Sequence, residues 1–197
     1  MIINNRVLFL HIPHTGGRFV SYNIQKNQNC IHHNFTREVK GVEIEHLNMF
    51  DSNYLYGSSK MFETFTIVRN PIDRFIGCLR HCNRLNLKAI KYMFENETNF
   101  FNTVNKLRES KTQNWFEPQI NFIEHDTKIW RFENGLEEKF RKWIMNNFKL
   151  KLEKPTDHEL KIFKHKSDYN QVFDLKQKQK QYIKDYYFLD YKIFNYN

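Results

Sequence analysis

VLFLHIPHTGGRF, residues 7–19, and FTIVRNPIDRFIG, residues 65–77, share one construction: an apolar run, a tight turn and the start of a helix. Val7 to Ile12 reads as a buried strand, and Pro13-His14-Thr15-Gly16-Gly17 as the turn that ends it. A helix from Arg18 would carry Phe19, Tyr22 and Ile24 inward. In the second stretch a strand over Phe65–Val68 stops at Arg69. Asn70 then suits an N-cap, Pro71 the first helical position where a missing N–H costs nothing, and Asp73 the first turn. The helix that follows presents Phe75, Ile76, Leu79 and Cys82 as one stripe. A third unit has a strand over Lys128–Phe132, the turn Glu133-Asn134-Gly135, and a helix from Leu136 to Phe148 with Leu136, Phe140, Trp143, Ile144 and Phe148 on one side.

Three strand–turn–helix units predict an α/β fold, a three-layer sandwich around a central parallel sheet. Residues 83–110 read as helix with weak periodicity. Lys176 to Phe194 reads as one amphipathic helix rich in Tyr and Phe. No repeat and no Gly/Ser/Pro linker interrupts the chain, so residues 1–197 are expected to form a single domain.

The 197 residues include 31 Lys+Arg against 22 Asp+Glu, a formal charge of +9. With 40% hydrophobic and 16% aromatic residues the chain carries enough apolar surface for a core despite a mean hydropathy of −0.74. No apolar stretch approaches the roughly 20 residues of a membrane span, and no signal-peptide pattern opens the chain. Three cysteines, Cys30, Cys78 and Cys82, are too few for a disulfide scaffold. These features together predict a soluble, cytoplasmic protein with no membrane partner. A basic surface recruits nucleic acid, a phosphorylated cofactor or an acidic substrate. Lys180, Tyr182, Lys184 and Tyr186 interleave as a single-strand binder would, but they also fit a solvated helix face with its tyrosines inward, which disfavours nucleic acid as the partner.

Two elements point more narrowly to an anion. Gly16 and Gly17 let the backbone approach an oxyanion, and the helix behind them aims free N–H groups at it. The loop is no Walker motif: it lacks GxxxxGK[ST] and the lysine at the helix start. Arg69, at a strand end beside a capped helix, can pair bidentately with a phosphate, or with Asp73 instead.

Together, FLHIPHTGGRF and FTIVRNPIDRFIG resemble the two cofactor motifs of sulfotransferases that use 3′-phosphoadenosine-5′-phosphosulfate (PAPS), and in particular the heparan and chondroitin sulfotransferase-like group with its short bacterial and viral relatives. Trp115-Phe116-Glu117-Pro118-Gln119, IWRFENGLEEKF and the ending Tyr187, Asp190, Phe194, Tyr196 are similar to further family segments. The resemblance implies a P-loop-like sulfotransferase fold. It implies that the backbone of Thr15, Gly16, Gly17 and Arg18 cradles the 5′-phosphosulfate, and that Arg69 takes the 3′-phosphate with position 77. It also implies transfer of a sulfuryl group to a hydroxyl of a glycan or small metabolite, acidic or neutral, with His46 as general base and without a metal.

Two positions depart from the pattern. Gly77 stands where the family has a serine, which removes a hydroxyl from the 3′-phosphate site, and Cys78 is one residue out of register. His14 stands where the family has a lysine that stabilises the oxygen bridging sulfur and the leaving phosphate. An imidazolium at His14 could serve; failing that, the chain would be a nucleotide- or nucleic-acid-binding module that has kept the fold and lost the reaction. His32 and His33 are the reserve candidates for the base. Cys78, His81 and Cys82 have a helical spacing that zinc would tolerate, but no fourth ligand. Trp115, Trp130 and Trp143 read as core or pocket wall, Trp115 alternatively as a sugar platform.

Overall fold

The computed structural model describes residues 1–31, 38–39, 42–43, 46–84, 92–93, 95–109, 114–154, 156 and 174–197. His32 and His33 lie outside these residues, as do much of 83–96 and the side chain of Cys82.

The strands are β1 (Ile2–Ile3), β2 (Val7–Leu10), β3 (Cys30–Ile31), β4 (Glu38–Val39), β5 (Val42–Glu43), β6 (Glu63–Val68) and β7 (Lys128–Arg131). The helices are α1 (Gly17–Gln25), α2 (Met49–Tyr56), α3 (Pro71–Arg84), α4 (Glu97–Glu109), α5 (Glu138–Phe148), α6 (Gln177–Tyr186) and α7 (Phe188–Ile193). The main sheet runs β3-β1-β2-β6-β7; β2, β6 and β7 are parallel, and β1 is antiparallel to both its neighbours. The parallel strands β2, β6 and β7 are those expected from the sequence, whereas the antiparallel β1 and β3 are an addition on the β2 side. β4 and β5 form a separate two-stranded ribbon.

Burial explains why the parallel strands read as unbroken apolar runs. All four residues of β2 are buried, because the sheet is covered on both faces. Val7 and Phe9 enter a core with Phe65 and Ile67 of β6, Val20 and Ile24 of α1, and Phe140, Ile144 and Phe148 of α5. Leu8 and Leu10 point the other way, onto Ile2, Met49 and Tyr56. Alternation along one strand thus builds two of the three layer contacts. Phe9 and Phe65 are register partners and stack with centroids 4.8 Å apart. A third cluster joins Phe75 and Leu79 of α3 to Phe100 and Val104 of α4 and Ile183 of α6. Among the described residues no helix is long and apolar enough to cross a membrane.

Local details correct the sequence reading at three places. On α1, Val20 and Ile24 face the core while Tyr22 is exposed, since the helix begins at Gly17 and its inward stripe is Val20–Ile24. The third-unit helix starts at Glu138, because Gly135 at φ 80 holds the chain out of helical geometry just before it. The C-terminal helix breaks at Tyr187, a fully buried residue whose hydroxyl donates to the Phe116 carbonyl at 2.8 Å. Tyr182 and Tyr186 of α6 pack on the third cluster, as an inward tyrosine face requires.

Candidate active site

The site forms where β2, β6 and β7 end. Asn70 Oδ1 accepts from the backbone N–H of Ile72 at 3.0 Å and of Asp73 at 3.4 Å, so Asn70 caps α3 and Pro71 opens it. The first loop is shaped by two left-handed residues, His14 at φ 63 and Gly16 at φ 90. Histidine is among the few side chains enriched in that region, so the backbone itself favours it over most alternatives at position 14. Gly16 has no such alternative: a Cβ there would also lie 2.6 Å from Leu136 Cδ1 and 3.0 Å from the Phe132 ring. At Gly17 a Cβ would fall 1.9 Å from the His11 ring. At its two glycines the loop therefore presents backbone, not side chains. Thr15 is fully buried and its hydroxyl donates back to the Ile12 carbonyl at 2.8 Å, which leaves its N–H as the group of interest. Arg18 is exposed on the first turn of α1.

Arg69 is half-buried and joins the two motifs. Its guanidinium lies 4.7 Å above the Phe132 ring and donates to the His14 carbonyl at 3.3 Å. Burial lowers its pKa, against the opposing pull of Asp73 and Glu133, yet a guanidinium stays charged. Gln119, fully buried, grips the backbone of the same residue: Arg69 N–H donates to its Oε1 at 2.9 Å and its Nε2 donates to the Arg69 carbonyl at 2.8 Å.

The His14 ring faces α3. A Cβ on Gly77 would sit 3.3 Å from its Cβ, and its ring makes edge contacts with His81 at 5.4 Å and Trp115 at 6.2 Å. Burial holds its pKa well below the ordinary histidine value, and His81, His46, Arg74 and Arg69 push it the same way. This environment disfavours the imidazolium at His14 unless an anion sits beside it. The groups that push on it are all cations or potential cations, an environment built for an anion.

His46 is buried beside the loop. Its ring meets that of His11 at 4.5 Å, and its Nδ1 lies 3.2 Å from the His11 carbonyl. A carbonyl can only accept, so Nδ1 carries the proton in this contact. Asn114 fixes the backbone here by donating to the His46 carbonyl at 3.0 Å.

Thr15, Gly16, Gly17, Arg69, His14 and Gly77 are thus brought to one place, with His46 alongside and Arg18 at its rim. Cys78 does not stand in for a hydroxyl at position 77, because its buried thiol donates to the Trp115 carbonyl at 3.1 Å. Among the described residues no group of three or more His, Cys, Asp or Glu is arranged to hold a metal ion. The sequence reading passed over Phe132 and His11 as site residues and took Gln119 only as part of a family segment. His11 had a signal, its spacing of three from His14. A shallow, open cleft of about 360 Å³ is lined by Asn70 and Asp73 together with Lys180 and Lys184.

The model of the sulfotransferase family matches residues 3–197 of the chain. No curated protein and no solved structure gives a significant match.

Proposed function

The chain belongs to the sulfotransferase family, and from that premise we propose that it transfers a sulfuryl group from PAPS to a hydroxyl of a carbohydrate or small metabolite, within one domain spanning 1–197. One contact carries this reading: Arg69 donates to the His14 carbonyl, so two motifs 55 residues apart make a single cationic hollow.

The residues fit the donor. The loop 15–18 has no room for side chains at its glycines and offers N–H groups at the start of α1, where an anion is favoured. Arg69, fixed on Phe132, matches a phosphate at the 3′ position. When bound, the donor supplies the sulfuryl group: an acceptor O–S bond forms, the bridging S–O bond breaks, and its electron pair stays on the 5′-phosphate. His46, whose Nδ1 is turned to the His11 carbonyl, takes the acceptor proton at its other ring nitrogen, Nε2. The loop N–H groups and Arg18 stabilise the charge left on the phosphate. His14 serves the bridging oxygen as a hydrogen-bond donor, neutral in the free protein and drawn toward protonation by the added negative charge. The acceptor is neutral or acidic; the excess of basic residues suits the latter.

The second reading is a nucleotide-binding module without turnover, favoured by the neutral state of His14 and the missing hydroxyl at Gly77. Thermal unfolding with adenosine 3′,5′-bisphosphate against ATP–Mg²⁺ tests both. A ligand at 100 times its Kd stabilises by about 2.7 kcal/mol. No shift with millimolar bisphosphate overturns the donor assignment; a shift without sulfuryl transfer to any of a panel of sugars and metabolites selects the second reading.

A further inference from the structure

Residues 187–196 make no direct contact with a ligand in the reading above, yet two hydrogen-bond relays run from them to consecutive residues of the anion site. In the first, the fully buried Asp190 carboxylate accepts from the backbone N–H of Gln119 at 2.8 Å and of Ile120 at 2.9 Å, and from Gln119 Nε2 at 3.4 Å. Gln119 then holds both the N–H and the carbonyl of Arg69. In the second, the Tyr196 hydroxyl donates to Glu133 Oε2 at 2.9 Å, and Glu133 Oε1 accepts the backbone N–H of Asn70 at 2.6 Å. Arg131 pins the same tail by donating to the carbonyls of Phe194 and Asn195 and lying 4.8 Å from the Tyr196 ring.

A core needs its buried polar groups satisfied, but it does not need two separate carboxylate relays to end on adjacent residues. Arg69 and Asn70 are where β6 gives way to α3, and an open strand end has a soft backbone unless something fixes it. Here Gln119 grips Arg69, and the Glu133 carboxylate takes the N–H of the next residue. The side chain that leaves from between these restraints is the guanidinium placed on Phe132.

We propose that Gln119, Asp190, Glu133 and Tyr196 are positioning residues that pre-organise Arg69 for the 3′-phosphate, making the C-terminal segment part of donor selectivity. The proposal rests on the donor reading and deepens it.

The test compares Kd for adenosine 3′,5′-bisphosphate and adenosine 5′-monophosphate by calorimetry, on the full chain and on Gln119→Met and Tyr196→Phe. The ratio of the two constants isolates the 3′-phosphate. The wild type is expected to prefer the bisphosphate by about 10- to 100-fold, the scale of a charge-assisted pair. Gln119→Met is expected to cut that preference about tenfold and Tyr196→Phe about threefold, with the monophosphate constant unchanged in both. A merely structural role would move both ligands together or neither. Should Gln119→Met not fold, the half-buried Tyr196→Phe decides alone. Folded variants that keep the wild-type preference overturn this inference by itself. A wild type without any preference overturns the donor reading, and this inference with it.

Discussion

Gly77 and His14 share one space: a Cβ on residue 77 would lie 3.3 Å from the His14 Cβ and 3.5 Å from its Nδ1. The two positions that depart from the resemblance therefore adjoin in space. His14 cannot retreat freely, since its backbone is left-handed and its ring abuts His81 and Trp115. Gly77→Ser is expected to destabilise the protein by about 1 kcal/mol through crowding, and to lower turnover despite restoring a hydroxyl. In the His14→Lys background the same serine is expected to raise turnover. Thermal unfolding and steady-state rates of the four-member cycle measure the coupling, expected at about 0.5–3 kcal/mol.

Donor-product affinity should depend on pH through His14. Its pKa in the free protein lies well below 6.5, and a bound polyanion raises it, so binding takes up a proton. The sign follows: affinity for adenosine 3′,5′-bisphosphate rises as pH falls from 8 toward 6. Calorimetry across that range should show the rise in the wild type and a flatter profile in His14→Gln. The ligand's own phosphate titration is common to both proteins and cancels in the comparison.

His46→Ala is expected to lower kcat by about 10²- to 10⁴-fold while leaving the bisphosphate Kd unchanged. The separation matters because the contacts of His46 described above are to the His11 carbonyl and ring. Unchanged turnover would remove it from the proton transfer.

Arg69→Lys keeps the charge but loses the planar fork and the face of Phe132. Bisphosphate affinity is expected to fall by about 10- to 100-fold. Phe132→Leu removes only the ring beneath the guanidinium and should cost about 0.5–1 kcal/mol of binding. Calorimetric Kd values for the two variants check the order.

Arg74, four residues into α3 from the cap, behaves differently. It is fully buried, donates to the carbonyls of Trp115 and Glu117, and lies 5.3 Å from the Tyr187 ring. Arg74→Met takes the guanidinium from the Glu117 carbonyl and leaves that of Trp115 with the weak Cys78 donor, and is expected to lose about 3 kcal/mol in denaturant unfolding, with the preference between nucleotides unaltered in protein that remains folded.

Much of this was legible in the sequence because the signals are local. A strand buried on both faces is an apolar run, and Asn70-Pro71 writes the start of a helix in two letters. The short strands Ile2–Ile3 and Cys30–Ile31 were not legible, since two residues have no periodicity. Tyr187 breaks the last helix for a reason lodged 71 residues away, at the Phe116 carbonyl. The loop and Arg69 could be picked out from their own neighbourhoods. Their mutual contact, the ring of Phe132 and the neutral state of His14 could not, because each comes from parts of the chain that meet only in the fold.

The relays from Asp190 and Tyr196 span 71 and 63 residues, and they complete an anion hollow whose loop and arginine are in place by residue 69. On a ribosome the chain would finish β2, α1 and β6 long before the residues that steady Arg69 emerge. Closing loops of that length is slow and entropically costly. The β2–β6 pair and α1 are thus made well before the C-terminal residues whose hydrogen bonds lead back to Arg69 and Asn70.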